Sequence, residues 1–466
     1  MKKINQSSQL LFSNFSGDFN PVHVDPIYAR RSMYGEQVVH GINTLLLALN
    51  YFSQKTKNNF QINKIDVKFI KPVFLDSKFD FKIISKEKNN VQINVLRDDS
   101  VTTKIKFEYH NPAPPFFIKN YYKVRPKKLK PKIFSIEKNN INHSINISYD
   151  YKDLVEIYPN LFEKLNSYQI GVILTLTRLV GMECPGLDSL FSSFNITFKN
   201  NLLINKKIKY RIRNYDQRFS LYDIKIFSDD FDGNIIAFNR PRPVSQPSYS
   251  KLIHLVKKNE FINQRALIIG GSRGLGEITA KLLSIGGAKV TITYNKGIED
   301  SDSIVNEINS CGGTAKSVKF NILKKNFSYF DSLKVDHLPT HIYYYPTPFI
   351  FSGSKGVFSE HLFNNFSKFY VEGFFNIVEY FIKKNTNNYF YPSTVALDEL
   401  PADMLEYTLA KSSGEKLCEF FQHRFSNINI YSTKLPRLAT DQTVSLFPVK
   451  NENPRKVILK HLRQFN

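Results

Sequence analysis

Ser16-Gly17-Asp18-Phe19-Asn20-Pro21-Val22-His23-Val24-Asp25, followed at His40-Gly41 by the start of an apolar helix, is the stretch on which the reading of this chain turns. It sets an acid and an imidazole on one short loop beside a helix N-terminus. A carboxylate and an imidazole held together can add water to an activated double bond or remove it, and a donor at a helix end can stabilise the charge that develops. Residue by residue the plainer reading is a turn held by Asp18, with His23 as an ordinary loop histidine. The joint spacing, with Asn20-Pro21 between them and His40-Gly41 after, points to catalysis.

Working outward, His40 to Phe52 is apolar nearly all round, as in a helix buried on most sides. Ile62 to Val73, Lys78 to Ser85, Val91 to Arg97 and Thr102 to Tyr109 then alternate apolar and polar residues between Asn, Asp and Ser clusters. One buried helix followed by an antiparallel meander predicts a sheet wrapped round a central helix.

The motif Ser-Gly-Asp-x-Asn-Pro-x-His-x-Asp, the His40-Gly41 before the helix and Phe69-Ile70-Lys71-Pro72-Val73 together resemble the MaoC-like, hot-dog (R)-specific enoyl-CoA hydratases. The match spans about the first quarter of the chain. The resemblance implies a hot-dog fold in which Asp18 and His23 hold and activate the catalytic water and the Gly41 N–H polarises the thioester carbonyl. Which of Asp18 and His23 acts as base is left open. Asp76-Ser77 stands where the family usually has Gly-Asp, a change at the mouth of the pocket.

From Asn111 to Asn140 the composition turns to Pro and Lys, as expected of an extended connector. Tyr168 to Gly181 predicts a second buried helix, broken at Pro185-Gly186. Strands are expected at Leu190 to Lys199, Lys206 to Asn214, Phe219 to Ser228 and Asn234 to Asn239. The repeated order predicts a second hot dog in tandem. No acid-histidine motif precedes its helix, so this half either keeps an acyl groove without the acid-base pair or serves as scaffold.

After a connector from Pro247 to Gln264, the apolar strand Arg265 to Ile269 meets Gly270-Gly271-Ser272-Arg273-Gly274-Leu275-Gly276, a helix to Ser284 and a second strand, Lys289 to Tyr294. Between a strand and a helix this turn predicts a dinucleotide site. Gly270 permits the tight turn, Gly274 the approach of a pyrophosphate and Gly276 close helix packing. Tyr294-Asn295-Lys296 ends the second strand without an acid, and with Arg273 this favours NADP(H) over NAD(H).

Further on, Tyr407 and Lys411 share a helix face, so that the ammonium can lower the phenol's pKa and hold the nicotinamide ribose. With Ser393-Thr394 upstream and the glycine turn, the last 200 residues or so resemble a short-chain dehydrogenase/reductase. That resemblance implies Tyr407 as proton donor, Lys411 as its tuner and Ser393 or Thr394 as the residue orienting the carbonyl. Several positions depart from the family: Tyr344-Tyr345-Pro346-Thr347 replaces Asn-Asn-Ala-Gly, Tyr370 stands for an Asn, and Pro436-Arg437 for Pro-Gly, although Thr440 remains for the cofactor.

The chain of 466 residues carries a formal charge of +23, with Lys spread through Asn/Lys-rich stretches rather than gathered in a stripe interleaved with aromatics. That argues against nucleic-acid recognition and suits anionic thioester carriers. Cys184, Cys311 and Cys418 fit neither a disulfide framework nor a zinc site, and no metal is expected. With no apolar run of membrane-spanning length, a soluble cytoplasmic protein is expected.

The expected fold is a tandem (double) hot-dog of α+β class followed by an α/β Rossmann-type doubly wound parallel-sheet domain. The expected boundaries are 1–115, 116–250 and 260–466. The expected function is a bifunctional enzyme on acyl-CoA or acyl-carrier-protein thioesters, joining 2-enoyl hydration to NADP(H)-dependent interconversion of 3-ketoacyl and 3-hydroxyacyl groups; a homo-oligomer is compatible with this. Two alternatives stand beside it: a hydratase with a degenerate reductase half, and a thioester- or carrier-binding protein without turnover.

Overall fold

The computed structural model describes residues 1–112, 126–134, 142–148, 151–199, 205–353, 355–445 and 449–466. The expected boundary at 115/116 and much of the Pro/Lys-rich connector lie outside the described residues. The chain forms two compact units, Met1–Arg242 and Pro243–Asn466.

Among the described residues the first unit holds one antiparallel sheet of ten strands: β1 (Lys2–Lys3), β2 (Gln61–Phe69), β3 (Lys78–Glu87), β4 (Asn90–Arg97), β5 (Ser100–His110), β6 (His143–Asn146), β7 (Ser189–Phe198), β8 (Lys207–Asp216), β9 (Leu221–Phe227) and β10 (Phe231–Asn239). Their spatial order is β1-β3-β4-β5-β2-β7-β10-β9-β8-β6. Alternation explains why one face can meet solvent: in β8, Ile208, Tyr210 and Ile212 point into the core while Lys207, Lys209 and Arg211 point out. Each half repeats one order, a buried helix (Gly41–Gln54, then Ser167–Arg178) followed by four antiparallel strands, of which the last three form the expected meander while the first crosses over to pair with the last: β2 with β5, and β7 with β10.

The halves meet where β2 pairs antiparallel with β7, from Lys64↔Thr197 to Lys68↔Ser193. Past the end of that pairing, the backbone of Ile62 is taken up by a side chain of the second helix. Ile62 N–H donates to Gln169 Oε1 at 2.9 Å, and Gln169 Nε2 donates to Ile62 C=O at 2.7 Å. A buried amide thus continues the ladder where no strand does, which satisfies groups that would otherwise be costly to bury. Leu45, Leu46 and Leu49 of the first helix and Ile173, Leu174 and Leu176 of the second lie in one continuous core.

The second unit is a parallel, Rossmann-like sheet: β11 (Arg265–Ile269), β12 (Lys289–Tyr294), β13 (Thr314–Lys319), β14 (His341–Tyr344), β15 (Asn388–Thr394) and β16 (Asn429–Leu435). Its order is β13-β12-β11-β14-β15-β16. Along β11, Ala266 and Ile268 enter one apolar core and Leu267 and Ile269 another, so both faces are covered. Strand order reverses between β11 and β14, and the crevice beyond their C-terminal ends is where ligands bind in such sheets. Tyr249 and Leu252 of the Pro247–Gln264 connector are buried in the same core as Ile268, so that segment is packed on this unit. Among the described residues no helix is long and apolar enough to cross a membrane.

Candidate active sites

In the first unit, the helix Gln6–Ser16 ends at Gly17, whose φ of 77° is the left-handed cap that turns the chain into the loop. Asn20 then anchors the loop. Its Oδ1 accepts from Val22 N–H at 3.3 Å, capping the short helix Pro21–Val24, and its Nδ2 lies 2.9, 3.0 and 3.1 Å from the carbonyls of Gly181, Gly186 and Leu187. Asp18 and His23 are therefore fixed on either side of a residue pinned to the segment that follows the second buried helix.

The Asp18 carboxylate is buried, with Oδ1 accepting from Asn20 N–H at 3.1 Å and Oδ2 from the Thr177 hydroxyl at 2.6 Å. A Cβ on Gly181 would fall 2.7 Å from the Asp18 Cγ, so only glycine leaves room for the acid. Burial raises the Asp18 pKa to about 6, against the pull of Thr177, the Asn20 N–H and the Arg178 charge.

His23 Nδ1–H donates to Val38 C=O at 2.7 Å, which leaves Nε2 with a free lone pair. Burial lowers its pKa to about 4, so the ring is neutral at neutral pH. His40 completes the group. Its Nε2–H donates to the backbone carbonyl of Asp18 at 3.1 Å, and its ring stacks on His23 with centroids 3.8 Å apart. Asp18, His23 and His40 each bring a donor or acceptor atom within 4.8 Å of the others, a span that one water molecule at about 2.6–3.2 Å from each partner can bridge.

Such a trio also invites a metal reading, which the ring geometry disfavours. Two imidazoles stacked with planes 27° apart direct their lone pairs side by side rather than at a common point, whereas tetrahedral ligation at about 2.0–2.1 Å needs them convergent. Gly41 opens the helix Gly41–Gln54, and His40 makes no side-chain cap. A Cβ at Gly41 would stand 2.8 Å from the Phe69 ring, so glycine lets β2 close over the helix end.

His40, Thr177, Gly181 and Arg178 escape the sequence reading as members of this site. His40 is legible there only as the mark of a helix start. Thr177 and Gly181 look like ordinary residues of an apolar helix, and nothing local ties them to Asp18.

In the second unit, Gly270 (φ 77°) and Gly274 (φ 58°) bracket the turn after β11. A Cβ on Gly276 would lie 2.8 Å from Gly271 Cα, so the helix Gly274–Ile285 packs tightly on its own turn. Next to Gly274 a Cβ would be in ordinary contact with Asp441 Oδ1 at 3.6 Å and Thr440 Cβ at 3.9 Å, so these two side chains stand beside the helix end. Ser272 is buried, and Leu275 packs at the edge of the core. Arg273 pairs with Asp441 at 2.8 Å, and Thr440 caps the turn Asp441–Thr443.

Tyr407 and Lys411 lie on the helix Leu405–Arg424, both buried. The Thr394 side chain lies beside the Tyr407 phenol, whereas Ser393 Oγ is buried without a partner among the described residues. The structure thus brings Thr394, of the two candidates, to the tyrosine. The lowered phenol pKa expected from Lys411 does not occur: burial pushes Tyr407 up to about 12. Lys411 Nζ instead donates to Pro392 C=O at 2.6 Å and sits over the Tyr370 and Tyr391 rings at 4.2 and 5.0 Å, with burial lowering its pKa to about 7. Tyr370 lies in a π-helical turn, Lys368–Gly373.

Residues 1–105 match the family described as MaoC like domain, so the chain opens with a MaoC-like dehydratase domain. Over 59 residues the chain is 41% identical to a 3-oxoacyl-[acyl-carrier-protein] reductase of Synechocystis sp., a match covering 13% of this chain and 24% of that protein. The chain therefore spans about a quarter of the length of that curated relative. Similar solved structures include an angucycline C-6 ketoreductase with bound NADP, at 17% identity and TM-score 0.40 over 45% of this chain and 91% of that one. Another is a 3-oxoacyl (acyl-carrier-protein) reductase from Agrobacterium tumefaciens with NADP bound, at 13% identity and TM-score 0.39 over 43% and 87%.

Proposed function

We propose that the chain is a bifunctional acyl-thioester enzyme, hydrating 2-enoyl thioesters or dehydrating (R)-3-hydroxyacyl thioesters at Asp18 and His23. The observation that carries this reading is a buried carboxylate with a pKa near 6 beside a neutral imidazole with a free Nε2, close enough to share a water. With His23 near 4, Asp18 is the stronger base. It takes a water proton as the oxygen bonds to the β carbon. The π electrons move toward the thioester carbonyl, where the Gly41 N–H meets the enolate oxygen, and the proton held on the Asp18–His23 pair goes to the α carbon. We read the first unit as a tandem double hot-dog whose second half holds the acid in place through Thr177 and Asn20's three carbonyl partners.

In the second unit the residues fit a dinucleotide. Gly270 and Gly274 adopt the conformations a phosphate cradle needs, and Tyr294-Asn295-Lys296 offers no acid to repel a 2′-phosphate. NADP(H), when bound, supplies the hydride for interconversion of 3-ketoacyl and 3-hydroxyacyl thioesters. Tyr407 then gives the carbonyl oxygen its proton, and Thr394, beside that phenol, orients it. The two activities act on the same β carbon, and the net charge suits acyl-CoA or acyl-carrier-protein substrates.

One observation favours a second reading, a hydratase whose reductase half does not turn over. Lys411 is engaged by Pro392 C=O and two tyrosine faces rather than held toward Tyr407. A paired assay of the intact chain separates the readings: crotonyl-CoA hydration, and NADPH oxidation with acetoacetyl-CoA. Both activities are expected. Hydration alone selects the second reading, and neither activity refutes both.

A further inference from the structure

Of the three side chains that meet at the loop, His40 alone has no part in the chemistry above. It is fully buried, and its Nδ1 has no partner among the described residues. A buried polar atom left unsatisfied costs about 1–3 kcal/mol, which an aromatic hydrocarbon at the same place would avoid. An imidazole at this position is thus unfavourable for packing, and its contacts point elsewhere.

Those contacts go to each part of the hydration machinery. Nε2–H holds the backbone carbonyl of Asp18 at 3.1 Å, while Asn20 N–H and the Thr177 hydroxyl hold the carboxylate, so the acid is fixed at both ends. The ring covers a face of His23 at 3.8 Å, while Val38 C=O fixes Nδ1 in the plane, and together they leave that imidazole one orientation. His40 is also the N-cap of the helix Gly41–Gln54, with φ −56° and ψ 126°, so its backbone aims the Gly41 N–H. Phe12 also packs against the His40 ring, 4.7 Å between centroids.

We propose that His40 is the positioning residue of the hydration site, holding the acid, the imidazole and the helix-end donor in mutual register through a single buried side chain. Its kinetic consequence rests on the hydration reading; the geometry does not. Small displacements of pre-set groups slow a reaction steeply, about a hundredfold for roughly 1 Å, with little effect on substrate binding.

Two substitutions dissect the role. His40→Phe keeps the aromatic face and removes the donor; His40→Gln keeps a donor and removes the face. Crotonyl-CoA hydration by the intact chain is expected to show kcat lowered about ten- to a hundredfold in each, with KM within about twofold of the parent. The unfolding midpoint of His40→Phe is expected to stay close to the parent's, because removal of the unsatisfied Nδ1 offsets the loss of the donor to the Asp18 carbonyl. A purely structural role predicts the opposite, lost stability with activity falling in proportion to folded protein, and that result would overturn the proposal. Parent-like kcat in both variants would also overturn it.

Nitrogen-15 histidine NMR reads the ring geometry without turnover. The His23 imidazole is expected as a single Nδ1–H tautomer in the parent and as a tautomer mixture in His40→Gln. An unchanged tautomer overturns the positioning role. Absence of hydration in the parent refutes the hydration reading separately, and the NMR result then decides the positioning role by itself.

Discussion

Replacing Thr177 with Val tests whether the second half of the sheet tunes the acid of the first. The substitution keeps the branched shape and deletes the hydroxyl that donates to Asp18 Oδ2 at 2.6 Å. A hydrogen bond to a charged group contributes about 1.5–3 kcal/mol, and at 1.36 kcal/mol per pKa unit its loss raises the acid by about 1–2 units. Asp18, already pushed to about 6 by burial, would then titrate at roughly 7–8. At pH 7 the ionised fraction falls from roughly nine-tenths to between about a tenth and a half, and hydration falls about two- to tenfold. Because the base form is regained at higher pH, the rate recovers at pH 9. The assay is the pH profile of kcat/KM for crotonyl-CoA hydration, in which the acid limb of Thr177→Val lies about 1–2 pH units above the parent's. A limb at the parent's pH would refute the tuning argument. An equal loss at every pH would show that Thr177 acts only through packing.

Three further outcomes are expected. Asp18→Asn abolishes hydration yet stabilises the fold at neutral pH. The folded-state pKa of Asp18 is raised from 3.8 to about 6, so ionisation disfavours folding by about 2–3 kcal/mol above pH 6, and none of that cost is present below the unfolded value. Urea unfolding at pH 7 and pH 3.5 should show the gain only at the higher pH. Gly41→Ala places a methyl 2.8 Å from the Phe69 ring; with the helix end displaced, kcat for hydration falls about a hundredfold, and a parent-like kcat would remove Gly41 from the oxyanion role. Gly276→Val drives a side chain into the Gly270-Gly271 turn. NADPH binding, followed by fluorescence enhancement, is expected to be lost while crotonyl-CoA hydration persists; retained NADPH binding would place the dinucleotide elsewhere.

Much of the fold is legible from local pattern. The eight strands read from alternation in the first unit all appear, shifted by a few residues at most, since each must present one face to a core and one to water. The strand Arg265–Ile269 and the glycine turn are equally plain, because a positive φ at Gly270 and Gly274 demands that residue type. Asp18, His23 and Gly41 stand out for the same reason: a short rigid loop brings them together within a few dozen residues.

What pattern does not reveal lies in contacts between distant segments. The edge strands β1 and β6 carry little periodicity, being two and four residues long. Ser393 and Thr394 are indistinguishable by offset, and only the packing of the Leu405–Arg424 helix brings Thr394 to Tyr407. Lys411 and Tyr407 share a helix face as their spacing requires, but the rings of Tyr370 and Tyr391 and the Pro392 carbonyl decide where the ammonium goes.

The same division holds at the loop from Ser16 to Asp25. Residue types and spacing suffice to place an acid and an imidazole on one turn, because turn chemistry and helix capping act over a few residues. The protonation behaviour of that acid is a tertiary property. It depends on burial against Gly181 and on a hydroxyl 159 residues away in sequence at Thr177, positions joined only when β2 and β7 complete one sheet. A carboxylate's pKa responds to what surrounds it in space, and for Asp18 those surroundings come from the other half of the unit.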